Sequence, residues 1–169
     1  MSITRWSFGV AAALTFAAGQ PATTADTVSG SLEVAGKKVD ITHGFAQAKK
    51  GFFDKTKDDI EVVLCDAVVP VGSTREMFAR IELADAGKVH CVENTIDATR
   101  QVINFTLRHS AFKKMGPSGG ATSAVFEPKV VTATRIEGRI RTTETMKSFE
   151  GIPYSYDVQF SLTVVPKKE

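Results

Sequence analysis

The chain has 169 residues, 43% of them apolar, with 21 Lys and Arg against 19 Asp and Glu. A formal charge of +2 gives no concentrated basic footprint of the kind that nucleic-acid binding needs. One apolar run lies near the N-terminus, and no second run is long enough to cross a bilayer as a helix.

That first run sets the expected address. Met1–Arg5 carries one positive charge, "WSFGVAAALTFAA" is uncharged and mostly apolar, and the small, polar "GQPATTA" follows. This is the layout of a secretory signal peptide over residues 1–25, cleaved after Ala25 or, alternatively, after Gly19. An N-terminal helix that stays is the competing reading. No cysteine follows the run to take a lipid, so the expectation is an exported, soluble chain, periplasmic or extracellular, with no stable membrane insertion after cleavage. Residues 26–169 then form a single β-rich domain large enough for one core. In an oxidising compartment Cys65 and Cys91 are expected to pair, a bond that contributes about 3 kcal/mol by restricting the unfolded chain.

The exported part reads as strands with one helix. "SLEV", the turn "AGKK" and "VDITHGFAQ" make a hairpin, with Val39, Ile41, His43 and Phe45 on one face of its second arm. A charged loop, "KKGFFDKTKDD", leads to "IEVVLCDAVV", a strand apolar on both faces and therefore covered on both. "STREMFARIELADAG" predicts a helix over about 74–86, opened by a Ser73–Glu76 capping box and stopped at Gly87. Its apolar stripe is Met77, Phe78, Ile81 and Ala84. Two strands follow, "KVHCVENTI" and "QVINFTLRH", the latter with Ile103, Phe105, Leu107 and His109 on one face. "AVFEPKVVTATRIEGRIRT" reads as one long or bent strand with Pro128 at an edge or bulge. In the last strand Tyr154, Tyr156, Val158, Phe160, Leu162 and Val164 alternate with polar residues, one face core and one face wet. The fold class is mainly β (α+β): an antiparallel β-sandwich or partly open barrel, with the helix packed across an opening.

Few constellations carry chemistry. "GPSGG" at Gly116–Gly120 matches the G-x-S-x-G nucleophile elbow in letters, but lacks the strand before and the helix after that lift such a serine. His43, His90 and His109 show no metal-ligand spacing, so no metal and no cofactor is expected. In "HCVE" the alternation of a strand sends His90 to one face and Cys91 and Glu93 to the other. His43, Asp66 and His109 each extend the apolar face of a strand. Inward polar groups must find partners, so Asp66 is expected against His43 or His109, an arrangement able to tune a histidine for acid–base work. Arg135, Arg139 and Arg141 share a strand face with Glu137 and offer a candidate anion-binding ladder, against the plainer reading of a solvated outer face. Phe52 and Phe53 stand between charges as a binding tip, a membrane-surface contact or a lid folded onto the sheet end. "NFT" at Asn104 matches a glycosylation acceptor, yet lies within a strand.

The opening "GSLEVAGKKVDITHGFA" with "VVLCDAVVP" resembles uncharacterised secreted bacterial β-rich domains that begin with a G-x-L-x-V-x-G-K hairpin. The resemblance implies a bacterial envelope or extracellular address and brings no activity with it. The functional expectation is an exported non-enzymatic binding or interaction domain whose partner is a protein, a glycan or a small ligand. The alternatives are a small hydrolase or acid–base enzyme using His43, Asp66 and His109, and a lipocalin-like carrier of a small ligand.

Overall fold

The structure, a computed structural model, describes residues 25–70, 74–112, 116–120 and 124–166, with backbone alone for 74–76. The signal-peptide reading of residues 1–25, beyond Ala25 itself, and the Ser73–Glu76 capping box therefore lie outside the described residues.

Among the described residues, eleven strands and one helix follow in order: β1 (Thr27–Val34), β2 (Lys37–Ile41), β3 (His43–Lys50), β4 (Asp58–Cys65), α1 (Thr74–Asp85), β5 (Cys91–Ile96), β6 (Val102–Arg108), β7 (Ser118–Gly119), β8 (Ala124–Val131), β9 (Arg135–Thr142), β10 (Met146–Lys147) and β11 (Pro153–Val165). They form one curled sheet, a half-barrel, rather than two packed antiparallel sheets. The sheet is mixed because β11 meets β3 in parallel at Val164↔Ala46 and Val165↔Gln47. Of the two expected architectures, the half-barrel agrees with the partly open barrel, and the antiparallel sandwich is not found because the sheet is single and mixed.

β11 is the spine. Its thirteen residues alternate as read from sequence, and Tyr154, Tyr156, Val158, Phe160, Leu162 and Val164 are all buried. One edge pairs with β1 and then β3, the other with β10 and β9. The main core fills the concave side, where β11 meets Leu32, Ile41, Val62, Leu64, Leu107 and Ile140.

β4 is covered on both faces, as its sequence predicts. Ile60, Val62 and Leu64 enter the main core, and Val63 and Cys65 enter a second cluster with Phe45, Val69, Ala84, Val89 and Cys91. α1 supplies Ala84 and Leu83 to that cluster, so it packs on the convex face of β3–β5 and not across an opening. The expected stripe is shifted accordingly: Arg80 and Ala84 are buried, and Phe78 stands 56% exposed.

Two strand readings also change. The second hairpin arm breaks at Thr42, whose N–H reaches the Cys65 carbonyl at 3.0 Å. Beyond the break the faces exchange: Ile41 and Ala46 share the main core, and Phe45 turns to the second cluster. The long strand from Ala124 is a hairpin, β8 and β9, closed by Thr132, whose hydroxyl takes the N–H groups of Thr134 and Arg135 at 3.3 and 2.9 Å. Pro128 does mark a register irregularity in β8.

Candidate functional site

The chain between β4 and β5 leaves the sheet, forms α1 and returns. Cys65 and Cys91 stand directly opposite across the two strands and are joined, Cα to Cα 4.2 Å. Antiparallel register continues past the bond, which sets Asp66 against His90. The Asp66 N–H donates to the His90 carbonyl at 3.1 Å. In return, Asp66 Oδ1 accepts the His90 N–H at 2.8 Å and Oδ2 lies 2.6 Å from His90 Nδ1. This geometry puts the imidazole proton on Nδ1 and leaves Nε2 as the basic nitrogen.

His109, at the end of β6, packs against His90 with ring centroids 4.2 Å apart and planes tilted by 38°. Its Nδ1 accepts the Ala111 N–H at 3.0 Å. Burial first, then the neighbouring His90, and also Lys37, lower its pKa to about 4 against the opposing pull of Asp66. His109 is therefore neutral at physiological pH.

The sequence trio is thus brought together in part. Asp66 and His109 share one cluster, and the histidine that Asp66 holds is His90. His43 is exposed on the convex face opposite Cys65, where its Nδ1 lies 2.9 Å from the hydroxyl of Thr42. The disulfide itself carried the missed signal: pairing Cys65 with Cys91 in an antiparallel ladder places residues 66 and 90 face to face.

Glu93 enters a different arrangement. Its Oε1 accepts from Arg80 Nε at 3.3 Å and from Arg108 Nε at 3.0 Å, and its Oε2 accepts from Arg108 Nη2 at 3.1 Å. Arg80 also donates to the Pro70 carbonyl at 3.2 Å and lies over the Phe45 ring. This buried trio joins α1 to β5 and β6, so all three letters of His90–Cys91–Glu93 have separate partners.

The arginine ladder lies on the outer face of β9 and is matched by carboxylates. Arg135 Nη1 reaches Asp26 at 2.8 Å, Arg139 Nε reaches Asp157 at 2.7 Å, and Arg141 Nε reaches Glu127 at 2.9 Å. Glu137 takes Lys129 and Ser161. Hydrogen bonding to Arg139 holds the Asp157 carboxyl below the usual range. A row of charges balanced in this way fits the plainer reading better than an anion site. Ser118 of "GPSGG" is exposed and extended in β7, where it pairs with Thr106 of β6.

Two clefts open at opposite ends of the half-barrel. At the end of the disulfide and the histidines, a cleft of about 440 Å³ is lined by Phe105, Phe112, Pro117, Phe149 and Tyr154, with Lys147 and Glu150 among its polar groups. Its wall continues into the histidine pair: His109 lies 6.1 Å from Phe112, and Phe112 lies 6.4 Å from Tyr154, centroid to centroid. Phe149 is fully exposed on a turn tied down by Ser148, which bonds the Ile152 carbonyl and takes the Gly151 and Ile152 N–H groups. At the other end a cleft of about 420 Å³ is lined mainly by Ala48, Ile60, Ala98, Val131, Ala133 and Val164. Among the described residues no group of three His, Cys, Asp and Glu is placed to hold a metal ion.

No family model matches the chain, and neither the curated proteins nor the solved structures give a match.

Proposed function

We propose that the chain is an exported, non-enzymatic binding domain of the bacterial envelope, with its ligand in the cleft of Phe105, Phe112, Phe149 and Tyr154. The observation that carries the reading is Phe149. A ring wholly in solvent, on a turn fixed by hydrogen bonds beside a concave aromatic wall, contributes nothing to the core of its own chain. It is placed to close on a flat, partly apolar partner, with Lys147, Glu150 and Ser118 to meet polar edges. A sugar ring or a short peptide has that chemistry. The signal-like N-terminus and the Cys65–Cys91 bond support export, since such a bond persists in an oxidising compartment. Phe105, Tyr156 and Phe160 occupy the main core, which leaves the ends of the half-barrel, rather than a central cavity, as the space for a ligand.

Tyrosine fluorescence tests the reading directly. Trp6 is the single tryptophan, and Tyr154 and Tyr156 are the two tyrosines, so the chain from Ala25 on reports on the cleft wall. Titration with envelope glycan fragments and short peptides is expected to saturate, and Phe149→Ser to weaken the tightest binder by about tenfold or more, one buried ring's worth. A second reading, an acid–base enzyme, is favoured by the Asp66–His90 contact, which orients the imidazole as a base. Silence in every titration, with turnover of a model ester or amide that Asp66→Asn abolishes, would replace the first reading by the second.

A further inference from the structure

We propose that the β3–β4 loop is a membrane-surface anchor that lets the domain rest reversibly on anionic lipid. Phe52 and Phe53 are 67% and 74% exposed, and their rings hold each other edge to face at 4.9 Å. The loop that carries them is rigidly made. Gly51 N–H donates to the Lys57 carbonyl at 3.0 Å, Phe52 N–H donates to the buried Asp59 carboxylate at 2.8 Å, and Asp54 caps Thr56 through both its N–H and its hydroxyl. At Gly51 a Cβ would stand 2.2 Å from the Asp54 carbonyl oxygen and 2.5 Å from that of Lys57, so only glycine closes this turn. Two large apolar rings are therefore held out in water by a fixed scaffold.

The charge around them chooses the partner. From Lys49 to Asp58 four lysines stand against Asp54 and Asp58; Lys49 is held by Glu61 at 2.7 Å, which leaves exposed Lys50 and Lys55 as the cations flanking the rings. The Asp54 carboxylate is turned onto Thr56 and Lys57, and Asp59 beyond it is buried under Phe52. Lys55 lies over the Phe52 ring, 5.4 Å from its centroid, so its ammonium stays beside the ring at headgroup depth when the ring enters the lipid. The loop joins the two strands whose ends, Ala48 and Ile60, line the apolar cleft at this end of the half-barrel. Val165, 44% exposed, follows the cleft residue Val164. Aromatic rings flanked by Lys50 and Lys55 match the interface of an anionic bilayer: the rings enter the acyl boundary and the two lysines meet headgroups. Two rings and two lysines give adsorption, not insertion, and among the described residues no helix is long and apolar enough to cross a membrane.

Vesicle flotation tests the anchor, using the chain from Ala25 on, which contains every described strand, the helix and both apolar clusters. The wild type is expected to float with phosphatidylcholine vesicles containing phosphatidylglycerol, and less as salt is raised. The F52S/F53S double variant is expected to lose at least about tenfold in partitioning, and K50E/K55E to lose the preference for anionic vesicles. Both pairs of sites are exposed, so an unchanged thermal melt certifies that each variant is folded. Wild-type protein that stays with the buffer for every vesicle, or a double-phenylalanine variant that floats as the wild type does, overturns the anchor. Retention of wild type but not of F52S/F53S on an envelope-protein extract, without vesicle binding, assigns the tip to a protein partner and also overturns it.

Discussion

At the scale of single residues, the sharpest energetic commitment is the buried carboxylate of Glu93 between Arg80 and Arg108. Arg80 is 2% exposed, and its guanidinium is tolerated there because Glu93, the Pro70 carbonyl and the Phe45 ring surround it. Glu93→Ala leaves a buried cation without its counter-ion and is expected to cost about 3–5 kcal/mol, read as a fall in the urea midpoint. His109 makes the corresponding commitment to pH. Its pKa is near 6.5 unfolded and about 4 folded, so protons bind the unfolded chain more readily across that window. The stability that neutral His109 provides is complete above about pH 6.5 and is lost as pH falls towards 4. The ring is only part-buried, so the loss is discounted to about 1 kcal/mol. The ionisable groups acting on it are His90, Asp66 and Lys37. His109→Asn retains an acceptor two residues before Ala111 and does not titrate. Thermal melts between pH 7 and 4 are expected to show a shallower acid limb for this variant. A limb as steep as that of the wild type would place the proton elsewhere.

At the scale of elements, the unit that stands apart is the excursion from Asp66 to His90, which contains α1 and is closed at its base by Cys65–Cys91, 26 residues apart. Asp66 and His90 form a second clasp immediately beyond the bond. Removing the disulfide as C65A/C91A is expected to cost about 3.5 kcal/mol, measured by chemical denaturation. Amide exchange is expected to rise first in α1, because that helix is held to the sheet mainly by the smaller apolar cluster and the Glu93 trio. This is also the element where sequence and structure part most instructively. The span of α1 was legible from periodicity and its stop at Gly87, as was β11 from its alternation, because one wet face and one dry face leave a clean pattern. The burial of Arg80 was not legible, since its partner Glu93 is thirteen residues away, on β5 and not on the helix. The break at Thr42 was hidden for a related reason. β3 is covered on both faces, so Phe45 is apolar in either register and the alternation Val39, Ile41, His43, Phe45 runs straight through the exchange of faces. Of the candidate site, Asp66 and His109 were legible as polar groups on apolar faces. The choice of His90 over His43 depended on cross-strand register, which the cysteine pair implied and residue-by-residue alternation could not supply.

At the scale of the whole molecule, the half-barrel has two dissimilar ends. One carries the disulfide, the histidine pair and the aromatic cleft; the other carries the Phe52–Phe53 tip and a cleft of small aliphatic side chains. The two proposals therefore answer to separate variants. Phe149→Ser is expected to leave flotation on anionic vesicles unchanged, and F52S/F53S to leave the fluorescence titration unchanged, since distant sites act independently. What unites the ends is β11, which pairs with β1 and β3 on one edge and with β9 and β10 on the other. It is also the last strand in chain order. During synthesis the β1–β2 and β8–β9 hairpins both emerge before β11, and each waits with an open edge for a strand not yet made. The sheet can close only when residues 153–165 arrive, so until then β1 and β9 each keep an edge open to pairing with another chain.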